Sequence, residues 1–435
     1  MISRLSLLKT SAKILNNPFL THYELAKARR MLMKSELENL QADKLKKLLT
    51  HASRDIPFYQ NRFVNHNLDG IQNLPLLSKQ ELKDAGNEAI KSNTKLIRKT
   101  TSGTSGPAFS FYIDKDFFAK ELAQNLRIFD FAEFELGQPW VLLVPLRDKK
   151  NPFFSYLTNR LVLDAAMLSS GKTPLCCPKT IEERFQPDER IIQKFFNKID
   201  RHKPKLIYSY PSTMIALATY LKNWNVRNVR AEKIILSGEI LTYPARKFIE
   251  EIFQGEVFEL YGTTEFPSIA QECKIHNGLH IFIDSYYVEF APDNEIIVTD
   301  LENYTMPFIR YQTADYGFLK SGKCRCGCAF PLMDITQGRV SDLIVSPNGQ
   351  FLRASFFTTL LEKNREIKKF QLVQETQNKL KIYLIADNLS ASRQGYLARR
   401  IKEYTVDAIE ISLEFMDNIN MPLKKYFQTY PPLAV

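Results

Sequence analysis

No window of the 435-residue sequence approaches the ~18 uninterrupted apolar residues that a membrane-spanning helix needs, so no bilayer crossing is expected. Cysteine is scarce, six residues in all, which excludes a small scaffold stapled by disulfides. Glycine, at 16 residues, is far below the roughly one-third share of a collagen-like repeat. Hydrophobic residues at 44% and charged residues at 25% sit near the averages for globular proteins, which excludes a mainly disordered chain. The length allows one large domain with one or two smaller ones.

Fifty-nine Lys and Arg against 48 Asp and Glu leave a net charge of +11. The basic residues are spread along the chain, and the one dense stretch, Lys91 to Lys99, is short. No helix-turn-helix, zinc-finger array or aromatic RNA-binding signature accompanies them, so a solvated basic surface is expected and nucleic acid is not an expected partner. Near the start, Ile2, Leu5, Leu8, Ala12 and Leu15 form one face of an amphipathic helix with Arg4, Lys9 and Lys13 between them. A continuous apolar core and a small-residue cleavage site are missing, so it does not read as a signal peptide. Docking on the protein itself is the expectation, a peripheral membrane contact the alternative.

Cys176 and Cys177 read as ordinary small core residues, whereas Cys324, Cys326 and Cys328 fall in one five-residue run downstream of Cys273. Clustered cysteines in a chain expected in the cytoplasm point to a metal site more than to disulfides. Nothing suggests a catalytic Cys-His pair.

Residues 20 to 65 carry Met33, Leu37 and Leu40, then Leu45, Leu48 and Leu49, at helical spacing that ends near Pro57. After Pro75 and Ser78 a second helical stretch surrounds Glu81. From about 140 to 300, short apolar runs (Val141–Val144, Leu206–Tyr208, Lys233–Leu236, Val257–Leu260) alternate with helical patterns such as Tyr243–Phe253, which argues for an α/β domain. The texture changes after Gly338. Leu343–Val345 and Phe351–Leu352 flank Pro347-Asn348-Gly349 as a hairpin, Phe370 and Leu372 pair with Leu380, Ile382 and Leu384 around Asn378, and Leu397, Ile401 and Tyr404 lie at helical spacing. The expected division is a large α/β N-terminal domain over 1–338 and a small α+β C-terminal domain over 339–435.

Four segments carry chemistry. Thr100-Thr101-Ser102-Gly103-Thr104-Ser105-Gly106-Pro107 combines hydroxyls and glycines that let N–H and OH groups converge on phosphate oxygens; it lacks the Gly-Lys-Ser/Thr ending of a Walker loop. Phe109 to Ile113 follows as a short strand. Val257 to Glu265, VFELYGTTE, is a strand running into Tyr261, Gly262, Thr263, Thr264 and Glu265, where a carboxylate at a strand's carboxyl end can hold Mg²⁺ against phosphate. Pro307 to Asp315, PFIRYQTAD, offers Asp315 to ribose hydroxyls and Arg310 to a phosphate. The fourth, Gly338-Arg339-Val340-Ser341-Asp342, stands at the domain boundary.

In this order the four segments resemble the adenylate-forming superfamily, whose motifs read roughly (S/T)SGTTGxP, YGxTE, RYxTGD and GRxxD. The similarity runs over nearly the whole chain and is greatest to the phenylacetate–coenzyme A ligase branch and its capsular-polysaccharide-biosynthesis relatives, through LLTHASRDIPFY at 48–59, ILSGE at 235–239, Gly278-Leu279-His280 and CRCG at 324–327. The resemblance implies a large α/β domain of adenylate-forming type with a mobile C-terminal domain. ATP and a carboxylate would give an acyl-adenylate and pyrophosphate, and a coenzyme A-like thiol or an amine would then take the acyl group.

Carried over by motif, Thr101, Ser102, Gly103, Thr104, Ser105 and Gly106 would hold the β- and γ-phosphates. Ser237, Gly238 and Glu239 would line the adenine pocket with Tyr261 against the ring, and Gly262, Thr263 and Thr264 would complete the nucleotide loop. Glu265 would bind Mg²⁺, Asp315 the ribose hydroxyls, and Arg339 the nucleotide or the closed interface, with Asp342 as hinge. Lys424 or Lys425 would reach the α-phosphate. Two departures stand out: Ala108 follows Pro107 where a Lys is common, and Ala314 replaces the Gly of RYxTGD. Tyr208 to Met214 and Glu239 to Thr242 are the expected carboxylate pocket. Cys273, His280 (or His276), Cys324 and Cys326 would make a closed structural zinc site, as related chains with CxCG segments suggest. The rival readings are an adenylyltransferase acting on a hydroxyl and a non-catalytic scaffold in polysaccharide assembly.

Overall fold

The helical pattern at the start resolves into α1 (Phe19–Arg29), α2 (Lys34–Asp55) and α3 (Pro57–Phe63). The leucine spacing that predicts α2 buries Leu37, Leu48 and Leu49. Pro57, the expected stop, opens α3 instead: extended Ile56 ends α2, and a proline at the first helical position lacks an N–H that would have no partner there. This computed structural model describes residues 10, 18–68, 70–91, 95–101, 109–144, 152–165, 189–226, 228–239, 241, 243–337, 343–345, 351–353, 360–361, 366–376, 378–387, 389–405, 409–416 and 425–428. The amphipathic segment at the start (apart from Thr10), the Cys176-Cys177 pair and the boundary motif 338–342 lie outside them.

Ser78 starts α4 (Lys79–Ala85) through a capping box: its hydroxyl accepts from the Glu81 N–H, and the Glu81 carboxylate accepts from the Ser78 N–H. Strands β1 (Ile97–Thr100) and β2 (Ser110–Ile113) then pair antiparallel, with Thr100 opposite Ser110, so the hydroxyl-rich segment leaves and re-enters at one end of a ribbon.

The alternation expected from 140 onward is present. After α5 (Lys115–Phe131) come β3 (Trp140–Val144), α6 (Pro152–Leu157), β4 (Arg160–Asp164), α7 (Glu189–His202), β5 (Leu206–Ser209), α8 (Pro211–Asn223), β6 (Lys233–Ser237), α9 (Tyr243–Phe253) and β7 (Glu256–Tyr261). Their strands are parallel, in the order β4-β3-β5-β6-β7. Both faces are buried. Ile207, Ile234, Leu236 and Val257 pack with α7, α8 and α9, while Leu206, Ile235, Phe258 and Leu260 pack with α5 and α1 on the other side. A strand covered twice must be apolar at nearly every position, which is why these strands read as continuous runs.

An antiparallel half completes the same sheet: β8 (Ala270–Glu272), β9 (Leu279–Ile281), β10 (Tyr286–Phe290), β11 (Glu295–Asp300), β12 (Tyr311–Lys320) and β13 (Leu332–Gln337), ordered β7-β8-β9-β13-β12-β11-β10. Its core gathers Phe111, Phe266, Phe282 and Phe308 with Leu37, Leu48 and Tyr59 from the leading helices.

Beyond residue 338, β14 (Leu343–Val345) and β15 (Phe351–Arg353) form the expected hairpin. A separate four-stranded sheet follows, with β16 (Ile367–Thr376) and β17 (Lys379–Ala386) antiparallel at its centre, β18 (Glu410–Phe415) and β19 (Lys425–Gln428) at its edges, and α10 (Ala391–Thr405) packing Leu397 and Ile401 onto Leu372, Ile382 and Leu384. The small α+β unit has the composition the sequence predicts. Among the described residues no helix is long and apolar enough to cross a membrane.

Candidate active site

In-register pairing of β5, β6 and β7, with Leu206, Lys233 and Glu256 side by side, brings their carboxyl ends to one edge at Ser209, Ser237 and Tyr261. Loops leaving that edge form the usual ligand crevice of an open α/β sheet. After β6, Gly238 adopts φ +80°, and a Cβ there would stand 3.1 Å from the Tyr210 ring. Glu239 then turns onto the start of α8, where its carboxylate accepts from the Ser212 N–H and hydroxyl, both at 2.8 Å. An anion at a helix N-terminus is stabilised by the unpaired N–H groups there. Of the expected carboxylate-pocket residues, Met214 instead belongs to the core beneath the sheet, fully buried with Ile249 and Leu236. Its place on α8 turns it inward. Burial pushes the Tyr208 phenol up to about 12.

After β7, Tyr261 is buried and donates its hydroxyl to Asp315 Oδ2 at 3.1 Å, joining the second and third motifs. Gly262 follows where a Cβ would meet the Pro267 carbonyl oxygen at 2.3 Å, an approach only glycine permits. The loop closes on itself: the Thr263 N–H donates to the Phe266 carbonyl, and the Phe266 N–H donates to the Thr263 hydroxyl. That turn leaves Thr264 exposed and drives Glu265 inward, to 3% exposure. Glu265 Oε1 accepts from the Tyr311 hydroxyl at 3.2 Å and pairs with Lys79 Nζ at 3.4 Å.

Lys79 also donates to Thr101 Oγ1 at 3.2 Å. Thr101 is the neck of the phosphate-loop motif, its N–H on the Phe109 carbonyl and its hydroxyl accepting from the Phe109 N–H. Three of the four motifs therefore meet: Thr101 reaches Glu265 through Lys79, and Glu265 lies one loop from the Tyr261–Asp315 bond. Oxygen donors of this kind suit a hard divalent cation such as Mg²⁺. Lys79 was not among the residues singled out by sequence. The available signal was its place at the first helical position after a Ser-x-x-Glu capping box.

Arg310 corrects an expectation. It does not face a phosphate: its Nε and Nη2 pair with Glu289 at 3.1 and 3.0 Å, and its Nη1 donates to the Gln72 and Leu74 carbonyls. The guanidinium fork instead ties the segment before α4 to β10. Ser102 to Gly106, Arg339, Asp342 and Lys424 lie outside the described residues. Lys425 opens β19, opposite Phe370.

The ligand atoms of Cys273, His280, Cys324 and Cys326 all lie within 4.8 Å of one another. Cys273 Sγ and Cys324 Sγ are 3.6 Å apart, and Cys326 Sγ and His280 Nε2 are 3.4 Å apart. A tetrahedral zinc with ordinary bond lengths spaces two sulfurs at about 3.8 Å and a sulfur and a nitrogen at about 3.6 Å, so the donor set fits. His280 Nδ1 donates to the Phe330 carbonyl, which leaves Nε2 as the acceptor facing the sulfurs. Burial lowers its pKa to about 4 and raises that of Cys273 to about 12. The alternative ligand His276 is held elsewhere, between Glu272 and Glu256. Cys328 is buried outside the cluster and donates its N–H to Cys326 Sγ.

The family model of the CapK C-terminal domain matches residues 344–424. Over 380 residues the chain is 24% identical to a phenylacetate-coenzyme A ligase of Thermus thermophilus, covering 80% of each, and 21% identical to protein CapK of Staphylococcus aureus, covering 81% of this chain and 79% of CapK. Among solved structures it is similar to 2-hydroxyisobutyryl-CoA ligase in complex with 2-HIB-AMP and CoA in the thioesterification state, with a TM-score of 0.64, 16% identity, and coverage of 92% of this chain and 91% of that one. That likeness shows the fold: a large α/β domain followed by a small C-terminal one.

Proposed function

We propose that the chain, which is similar to the phenylacetate–coenzyme A ligases and to CapK, is an adenylate-forming ligase that activates an organic carboxylate with ATP and passes the acyl group on. A carboxylate oxygen attacks the α-phosphorus, the bond from that phosphorus to the bridging oxygen breaks, and pyrophosphate leaves with the electron pair. A thiol of coenzyme A type, or an amine, then attacks the acyl carbon and AMP departs. The observation that carries this reading is the convergence of Thr101, Glu265 and Asp315 at the carboxyl edge of the parallel sheet.

Bringing a carboxylate against a triphosphate crowds anions, so the site must supply cations and N–H donors already in place. Residues 101–106 hold the β- and γ-phosphates. Glu265 holds Mg²⁺, which offsets charge on the phosphate oxygens when bound. Asp315, oriented by Tyr261, accepts the ribose hydroxyls, and Ser237, Gly238 and Glu239 line the adenine pocket. Arg339 and one of Lys424 and Lys425 come from the C-terminal domain, over 339–435, which turns about Asp342. Cys273, His280, Cys324 and Cys326 hold a structural zinc that ties β9 to the loop before β13. The homology to CapK supports a place in capsular or exopolysaccharide biosynthesis, and the absence of a membrane-spanning helix among the described residues is in keeping with cytoplasmic work.

The test is a pyrophosphate-release screen of the purified chain with ATP, Mg²⁺ and a carboxylate library, with hydroxylamine added to trap acyl-adenylates as hydroxamates. Carboxylate-dependent release and hydroxamate formation are expected. AMP found on a hydroxyl product would overturn carboxylate activation in favour of adenylyl transfer, and a chain that cleaves no ATP with any substrate would overturn both.

A further inference from the structure

The phosphate-loop segment from Thr101 to Pro107 contains no basic residue, and Ala108 follows it. A triphosphate there would meet hydroxyls and N–H groups without a fixed positive charge from the loop. The charge stands instead on another segment. Lys79 Nζ is 3.2 Å from Thr101 Oγ1 at the neck of the loop, 3.4 Å from Glu265 Oε1, and 5.8 Å from the centroid of the Phe109 ring that closes that neck.

The mount of Lys79 is rigid. Leu77, two residues earlier, pairs with the start of β12: its N–H donates to the Arg310 carbonyl and its carbonyl accepts from the Gln312 N–H. Tyr311, between those two, is the residue whose hydroxyl also reaches Glu265 Oε1. Ser78 caps α4, so Lys79 begins the helix with its backbone fixed on both sides, and Arg310 ties down Gln72 and Leu74 just upstream. From this fixed base a flexible four-carbon stem carries the ammonium into the site.

We infer that Lys79 is the phosphate-binding cation of this site, held on Glu265 while no nucleotide is bound and transferred to the β- and γ-phosphates when ATP and Mg²⁺ enter. This rests on the nucleotide-binding reading above. Glu265 is almost fully buried, and a buried carboxylate needs a counter-charge, which Lys79 provides. A dication at Glu265 would repel the ammonium, which keeps Thr101 Oγ1, 3.2 Å away, as its other partner. The exchange leaves the Glu265 carboxylate and the phosphates each facing a cation, and makes the two binding events, metal on Glu265 and triphosphate beside Lys79, depend on each other.

The test compares ATP with Mg²⁺ and AMP as probes, by titration calorimetry on the full-length wild type, Lys79→Ala, Lys79→Gln and Lys79→Arg. AMP lacks the β- and γ-phosphates, so it separates their recognition from that of the base and ribose. Loss of one charge-assisted contact weakens ATP binding about tenfold or more, with AMP binding within about twofold of wild type and Lys79→Arg recovering part of the loss. A purely structural role would move both nucleotides together, or the thermal midpoint alone. Lys79→Ala and Lys79→Gln retaining wild-type ATP affinity would overturn the inference while leaving the nucleotide site intact. A wild type that binds neither ATP nor AMP would overturn the nucleotide reading itself.

Discussion

The Tyr261 hydroxyl donates to Asp315 Oδ2 at 3.1 Å, across 54 positions of sequence. The bond fixes one carboxylate oxygen on the end of β7 and orients the group toward whatever enters above that edge. Replacing Asp315 with Ala removes acceptors that an ionised carboxylate offers to two hydroxyls, each such bond contributing about 1.5 kcal/mol or more. AMP affinity should fall at least tenfold by calorimetry, and the unfolding midpoint should fall as well, because the buried Tyr261 hydroxyl loses its acceptor. Tyr261→Phe should cost less, about 1 kcal/mol of stability and a few-fold in affinity, because the carboxylate stays and only its orientation loosens.

Ala314 sits at φ +60°, in the left-handed region, and its N–H donates to Glu295 Oε1. A Cβ in that conformation costs about 1–2 kcal/mol, part of which glycine gives back through a freer unfolded chain. Ala314→Gly should therefore stabilise the protein by about 0.5–1 kcal/mol in urea denaturation, leaving the neighbouring Asp315 in place. A loss of stability would show that the strain is relieved by contacts other than the backbone angle.

Much of the parallel half of the sheet was legible, because strands covered on both faces are nearly all apolar and the helices between them are long. The antiparallel half was not. β8 and β9 are three residues each, too short for a period to register, and β12 carries Ala314 and its register shift in the middle of its run. The site residues were legible where a motif placed them at the end of a strand, as with Glu265 and Asp315. Arg310 was misread because its motif puts a cation beside nucleotide-facing residues, whereas its positive φ of 52° turns it onto Glu289. Lys79 was missed because its partners, Thr101 and Glu265, lie 22 and 186 positions away.

The Cys273, His280, Cys324 and Cys326 cluster should bind about one zinc per chain, measurable by elemental analysis of the purified protein. Cys326→Ser should lose that metal. Because bound metal stabilises only the folded chain, both this variant and chelator-treated wild type should melt several degrees lower, and re-addition of zinc should restore the wild type alone. Cys328→Ser is the control, since Cys328 lies outside the ligand set: its zinc content should match wild type. Metal-free protein with an unchanged midpoint would leave the cluster as four close-packed side chains with no ion to hold.

Asp300 is buried at the end of β11, where desolvation, with Glu302 and Glu121 nearby, pushes its carboxyl up to about 7 against the bonds from the Glu302 and Asn303 N–H groups. In the unfolded chain it ionises near its ordinary value of about 3.9. Between those two values the folded protein holds a proton that the unfolded chain has released, so stability falls as pH rises from about 4 toward 7 and levels off above it. A shift of this size corresponds to at most about 4 kcal/mol. Asp300→Asn removes the titration while keeping an oxygen for the Glu302 N–H. Urea denaturation of both proteins from pH 5 to 8 should show wild type losing ground to the variant by a few kcal/mol as pH rises, most of it before pH 7. Parallel profiles would mean that Asp300 is ionised throughout, with a counter-charge from its surroundings that offsets its burial.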